Sequence, residues 1–130
     1  MAGLLSEYLR TAAGRPFAYG RWDCGLFLAD WIALVKGIDP AADLRGRYGR
    51  LEDVPGIGGR RGLLGILTGL ARRQRLAATR QPKPGDVALI SIADAPAVGA
   101  IRGERGWLVL AEGGGISCAP AARLVKAWAL

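Results

Sequence analysis

The first part of the chain alternates apolar and polar residues with the period of an α-helix. Residues 3–13 predict a first helix, and Gly14 is a typical residue to end it. Its apolar face consists of Leu4, Leu5, Tyr8, Leu9 and Ala12. The following residues, 15–22, contain Pro16 and Gly20 and predict a loop.

A second helix is predicted over residues 24–36. Asp23 precedes it and is a favoured N-cap, because its side-chain oxygen can accept hydrogen bonds from the first backbone N–H groups of the helix. Gly37 follows as the predicted end. The apolar face of this helix consists of Phe27, Trp31, Leu34 and Val35.

A third helix, rich in glycine, is predicted over residues 61–76. Gly62, Gly65 and Gly69 recur at spacings of three and four, which leaves one face of the helix smooth. We expect that face to pack closely against another element, since glycine otherwise only weakens a helix and lets it fray. Residues 38–59 are interrupted by proline and glycine and predict short helical turns and loops.

After a predicted turn at residues 81–86, the pattern changes to short β-rich runs. These runs are VALISIA (87–93), AVGAIR (97–102), GWLVLAE (106–112) and KAWAL (126–130). Helices followed by strands indicate an α+β domain, in which N-terminal helices pack on a C-terminal antiparallel β-sheet. We expect residues 1–130 to form a single domain, since this length suits one hydrophobic core.

The chain is basic, with a formal net charge of +7 and no histidine. Its arginines cluster at Arg45, Arg47 and Arg50, at Arg60 and Arg61, and at Arg72, Arg73, Arg75 and Arg80. No helix-turn-helix, zinc-finger or RNA-binding signature accompanies them, which favours docking to acidic proteins over nucleic-acid binding. No apolar run is long enough to span a membrane and no signal peptide is evident, so we expect a soluble protein made in the cytoplasm.

Cys24 is the candidate for chemistry, because it lies at the predicted start of the second helix. Unpaired N–H groups and the helix dipole at that position lower the pKa of a thiol and make it a better nucleophile. A small buried residue is the simpler alternative for a cysteine at such a place. Phe17, Tyr19, Gly20 and Trp22 precede Cys24 and could form the wall of a groove beside it.

Cys118 is the second cysteine of the chain, in the segment ISCAP (116–120). We expect it in the core or at a strand edge. A Cys24–Cys118 disulfide is one alternative, and two reduced thiols, the normal state in the cytoplasm, are the other. Two cysteines without histidine do not match a structural metal site, and the sequence indicates no metal and no cofactor.

The segment PFAYGRWDCGLFLADW (16–31) resembles the nucleophile segment of the NlpC/P60 superfamily, papain-like cysteine peptidases that cut peptidoglycan stem peptides. The shared pattern is a Tyr-x-Gly loop, then Asp-Cys, then a small residue and an apolar helix. PKPGDVALI (82–90) resembles the Gly-Asp entry to the first strand of the same fold, and the final Ala127–Trp128 resembles a phage-tail subgroup. The resemblance implies a papain-like fold, with Cys24 at the nucleophile position.

The sequence departs from this family at the catalytic base. Active members carry a His-Val-Gly-hydrophobic motif on the second strand, and the matching residues here are Ala97, Val98, Gly99 and Ala100. Without an imidazole at position 97, Cys24 loses its activator and the leaving amine loses its proton donor. Asp94 and Glu104 lie near this strand in sequence, but a carboxylate beside a thiol raises the pKa of that thiol.

The sequence therefore predicts an inactive NlpC/P60-like domain that serves as a structural or assembly component of a phage tail tip or baseplate, or of a tail-like particle. Its partners would be other tail proteins, its oligomeric state would be set by the particle, and it would pass from the host cytoplasm to the virion tail. The alternative is an active cell-wall peptidase or amidase that uses Cys24 with a base other than histidine.

Two further alternatives remain open from the sequence. In the first, the substrate groove implied by the resemblance, with Tyr19, Trp22 and Asp23, would bind peptidoglycan or a peptide without cutting it. The arginine clusters would bind nucleic acid, with an affinity that falls steeply as salt rises.

Overall fold

In a computed structural model, the chain is described at residues 2–42, 45–47, 49, 62–93, 97–111 and 113–130. The described residues form three helices: α1 (Ala2–Ala13), α2 (Cys24–Lys36) and α3 (Gly62–Arg73). All three were predicted, with α2 at its predicted bounds and the ends of the other two within three residues. The predicted turns at 38–59 lie mostly outside the described residues, although 40–42 and 45–47 do form turns and bends.

The ends of α2 follow from its flanking residues. Asp23 is the N-cap, and its carboxylate accepts hydrogen bonds from the N–H groups of Gly25 and Leu26. Gly37 ends the helix in the left-handed conformation, with φ of 83°, and donates to the carbonyl of Ala33. Both predictions for the limits of α2 are confirmed.

Within the described ranges, six strands make one antiparallel sheet in the order β1-β6-β2-β3-β4-β5. They are β1 (Ala77–Thr79), β2 (Val87–Ser91), β3 (Val98–Arg102), β4 (Trp107–Leu110), β5 (Ile116–Ala119) and β6 (Arg123–Ala129). The predicted α+β class, with helices before an antiparallel sheet, is confirmed. The central strand β2 pairs with β3 on one side and with β6 on the other, and all five of its residues are buried.

Alternate residues of the strands belong to two separate apolar clusters. Val87, Leu89 and Ile101 join the helices in the main core, around Phe27 and Trp31, neither of which has any exposed surface. The opposite face carries a smaller cluster, made of Ala88, Ile90, Ala100, Trp107, Ala119 and Ala127. The sheet thus has a large face packed on the helices and a second face filled mainly by alanines around Trp107.

Two packing predictions need correction. Leu34, predicted on the apolar face of α2, is 50% exposed. Gly69 has no atom within 4 Å of the place where a Cβ would stand, so close packing does not explain this glycine. Cys118, for which the sequence predicted the core or a strand edge, is exposed on the edge strand β5, which confirms that prediction.

Candidate functional site

Asp23 holds the start of α2 and the loop before it together. Its Oδ1 accepts hydrogen bonds from the N–H groups of Gly25 (3.0 Å) and Leu26 (2.9 Å), and its Oδ2 accepts one from Gly20 (2.9 Å). The chain turns tightly between Ala18 and Trp22, which form an isolated β-bridge. Because the carboxylate is 2% exposed and bound to backbone on both oxygens, Asp23 has a structural role in this conformation.

Cys24 is the first residue of α2, as the sequence predicted, and it is a free thiol that is partly exposed. Burial raises the pKa of this thiol above its ordinary value, a backbone hydrogen bond from Gly99 acts in the opposite direction, and the Asp23 carboxylate raises it further. The net shift is upward, so the thiol is predominantly protonated at neutral pH. The helix start alone does not make this cysteine a strong nucleophile.

Strand β3 lies directly against the first turn of α2. A Cβ added at Gly99 would come within 3.0 Å of the Cys24 carbonyl oxygen and 2.9 Å of a methyl group of Leu28. Only a residue without a side chain allows this approach. The strand that directly follows position 97 is therefore beside the cysteine, although 75 residues separate Gly99 from Cys24 along the chain.

Ala97 immediately precedes β3 and packs against the main core on the helix side of the sheet, whereas Val98 belongs to the cluster on the opposite face. Position 97 thus shares the α2 side of the sheet with Gly99, and it carries only a methyl group. Glu104, one of the two alternative bases, is exposed beyond the other end of β3. Asp94, the second one, lies outside the described residues.

Only some of the residues predicted to line a groove beside Cys24 are accessible. Trp22 is 2% exposed, with its ring edge-on to Phe27, so it belongs to the core together with the buried Asp23. Tyr19 stays partly exposed and meets Phe17 edge to face, with ring centroids 4.9 Å apart. A ligand in this region would therefore meet the Phe17–Tyr19 pair and not the indole of Trp22.

The Gly85–Asp86 motif, which marks the entry to β2, ties three distant segments together. Trp31 of α2 donates from its indole Nε1 to the carbonyl of Gly85 (2.8 Å). Asp86 accepts hydrogen bonds from the N–H groups of Lys83 (2.8 Å) and Leu130 (3.0 Å). Gly85 has a φ of 94°, which favours glycine at this turn. The family resemblance identified this motif in the sequence, but the sequence did not predict its hydrogen-bond partners within the chain.

Several arginines of the predicted docking clusters have internal partners. Arg45 donates to the carboxylates of Asp30 and Asp39, and Arg73 donates to the carbonyl of Pro40 (3.1 Å). Arg15 donates to Asp30 (3.0 Å), and its guanidinium lies 3.8 Å from the centre of the Trp22 ring. These contacts join Arg15 and Arg45 to Asp30 of α2 and join Arg73 of α3 to the loop after α2. Docking of the arginine clusters to acidic proteins stays a prediction. Arg50, Arg60 and Arg61 lie outside the described residues.

Over the described part of the chain, no helix combines the length and the apolar character needed to cross a membrane. No group of three or more Cys, Asp or Glu side chains in these same ranges is placed to hold a metal ion.

The chain matches, over residues 2–130, the family model described as "Domain of unknown function (DUF6950)", and it therefore belongs to this family. No curated protein and no solved structure matches it. The family carries no assigned activity, so the functional argument rests on the site itself.

Proposed function

We propose that the chain has a papain-like NlpC/P60 fold that has lost peptidase activity. The observation that carries this proposal is the contact of Gly99 with the first turn of α2. A papain-like site needs its cysteine at a helix start and its base on an adjacent strand, and Ala97 and Gly99 both lie on the α2 side of the sheet. The nucleophile position is filled by Cys24, and the base position by Ala97.

Three facts support the loss of activity. The chain contains no histidine, position 97 carries a methyl group, and burial raises the pKa of Cys24. A cysteine peptidase needs a thiolate for attack and a proton donor for the leaving amine, and removing one member of such a set costs several orders of magnitude in rate. The Asp23–Cys24 pair then acts as a helix start and a packing contact.

The proposed role is a structural or assembly component of a phage tail tip or baseplate, or of a tail-like particle. The resemblance at Ala127–Trp128 and the basic charge of the chain support it. Partners would be other tail proteins, met in the host cytoplasm and retained in the virion tail.

Two measurements test the proposal together. The purified chain and its Cys24→Ser variant are incubated with peptidoglycan, and soluble fragments are quantified by chromatography. We expect both to release no more than buffer alone. Particles purified from cells that carry the gene are then examined by mass spectrometry, where we expect the chain at a fixed ratio to other tail proteins. Its absence from the particles would contradict a structural role.

The second candidate is an active cell-wall peptidase or amidase, and the observation that favours it is the partial exposure of Cys24 at a helix start. A release of fragments by the unmodified chain, lost in Cys24→Ser, would establish this alternative and overturn the inactive one.

A further inference from the structure

At the β1 edge of the sheet, β1 pairs with only part of the longer strand β6. Strand β6 has seven residues, Arg123–Ala129, and β1 has three, Ala77–Thr79. Their pairing starts at Ala77 with Ala129 and stops at Thr79 with Ala127. Beyond this point, no strand of the described residues pairs with β6 on the β1 side, so its backbone from 124 to 126 forms an open edge.

The same stretch of β6 contains a bulge. Leu89 of β2 faces Lys126 and the next residue, Ile90, faces Leu124, so Val125 is an extra residue on β6. Such bulges bend a strand and change the direction of its side chains, and they are common at sheet edges. Val125 is 37% exposed, one of the few large apolar residues that the structure leaves so accessible.

An open groove of about 410 Å³ lies along this edge, in line with β1. Ala78, Thr79, Arg80, Leu124, Val125, Lys126 and Ala127 line it. The groove therefore combines a strand edge with unpaired backbone groups, two apolar side chains and two cations, Arg80 and Lys126. These are the features by which an extended peptide is bound as an added strand, since backbone bonds give affinity and side-chain pockets give specificity.

The positive charge of the segments that form the groove favours an acidic partner. Residues 62–93 and 113–130 contain seven basic residues and a single acidic one, Asp86. Asp86 is 7% exposed and accepts hydrogen bonds from two backbone N–H groups, so its carboxylate is turned inward. A peptide with acidic side chains therefore meets cations at this edge, and neither of these two ranges has a side-chain carboxylate on the surface to compete with it.

The surroundings favour a peptide over single-stranded nucleic acid. Single-stranded nucleic acid binds by stacking its bases on exposed aromatic rings, and the groove lining contains no aromatic residue. The nearest aromatic residue along β6 is Trp128, which is 4% exposed. The apolar side chains of Leu124 and Val125 have no use in phosphate binding, whereas these side chains and the alternating donors and acceptors of a strand edge suit an extended peptide.

We propose that the open edge of β6 from 124 to 126 binds an extended acidic segment of a partner protein as an added strand in line with β1. Arg80 and Lys126 contact the acidic side chains, and Leu124 and Val125 contact the apolar ones. This surface is separate from the Cys24 site, and the proposal does not depend on the assignment to NlpC/P60.

The probe is a blocked hexapeptide in which Glu and Val alternate, titrated into the full chain. Trp fluorescence reports binding, since the Lys126 ammonium group lies 5.8 Å from the centre of the Trp128 ring. We expect Lys126→Glu and Arg80→Glu each to weaken binding about tenfold. Arg105→Glu, the matched control, makes the same charge change in the exposed β3–β4 turn and should leave the Kd unchanged. Circular dichroism confirms that each variant is folded, and Arg80, an exposed loop residue, provides the test if Lys126→Glu does not fold.

Backbone pairing is tested with the same hexapeptide methylated on its backbone N–H groups. We expect this peptide not to bind, and the unmodified one to slow amide exchange at residues 124–126. Equal binding of the methylated peptide, or an equal effect of Arg105→Glu, would overturn the proposal. So would no binding of the hexapeptide at all, or tighter binding of single-stranded oligothymidylate that Lys126→Glu abolishes.

Discussion

The indole N–H of Trp31 donates a hydrogen bond of 2.8 Å to the carbonyl oxygen of Gly85, 54 residues further along the chain. This bond joins α2, which begins with Cys24, to the Gly-Asp turn that leads into β2. The two sequence segments that resemble the NlpC/P60 superfamily are therefore in direct contact. Trp31 is fully buried and Gly85 is buried as well, so water does not replace the bond if it is lost.

Trp31→Phe should lower the free energy of unfolding by about 1–3 kcal/mol, because it leaves a buried carbonyl oxygen without a partner. Urea unfolding followed by circular dichroism measures the change. Trp22→Phe is the matched control, since the indole N–H of Trp22 is buried with no hydrogen-bond partner in the described residues. A loss of stability in the control equal to that of Trp31→Phe would show that ring size, and not the hydrogen bond, determines the effect.

Gly99→Ala should destabilise the chain by about 1–3 kcal/mol, because the added methyl group overpacks a tight contact. Its Cβ would lie 3.0 Å from the backbone oxygen of Cys24, so either the strand or the helix start must shift. Gly113→Ala has no atom within 4 Å of the new Cβ and is the control. Thermal unfolding compares the two, and similar midpoints for both variants would contradict the close approach of β3 to α2.

The alkylation of Cys24 should require alkaline pH. Burial raises the pKa of this thiol, so a smaller fraction is thiolate at neutral pH than for an exposed cysteine. Iodoacetamide rates in the Cys118→Ala variant, measured from pH 6 to pH 10, should give a midpoint above about 8.5, the usual value for free cysteine. The exposed Cys118 in the Cys24→Ala variant is the reference thiol. A midpoint for Cys24 well below that value would indicate an activated nucleophile.

Ala97→His should make Cys24 react faster at pH 7. Position 97 lies on the α2 side of the sheet, so an imidazolium there would favour the thiolate, and a decrease of one pKa unit gives about tenfold more thiolate. Val98→His is the control, because Val98 belongs to the cluster on the opposite face. Alkylation is measured in both variants without Cys118. Equal rates in both variants would place position 97 out of reach of the thiol and count against the NlpC/P60 assignment.

The helices were predictable because their signals are local. Asp23 and Gly37 limit α2 by their own chemistry, and Phe27 and Trp31 are spaced so that both enter the core. The exposure of Leu34 was not predicted, because an apolar side chain can be left outside when its helix packs on one side only.

The short strands β1 and β5 were not among the predicted runs. Strand β1 is only three residues long and contains two alanines, which have little β-preference of their own, so it depends on its pairing with β6. The contact of Gly99 with Cys24, the bond from Trp31 to Gly85 and the bond from Arg45 to Asp30 all join residues far apart in sequence. Local patterns do not determine such contacts, which arise only when the helices pack on the sheet.

The ion pairs that Arg45 and Arg15 form within the chain affect how the protein approaches a partner in solution. Their charges are balanced by Asp30 and Asp39 near α2, while most basic side chains around β1 and β6 face no carboxylate in their own segments. Over the described residues, the chain therefore carries its charge unevenly. Within a Debye length of about 8 Å at physiological salt, its field turns an approaching acidic surface toward the β1–β6 edge before contact. Orientation of this kind raises the association rate and weakens as salt increases.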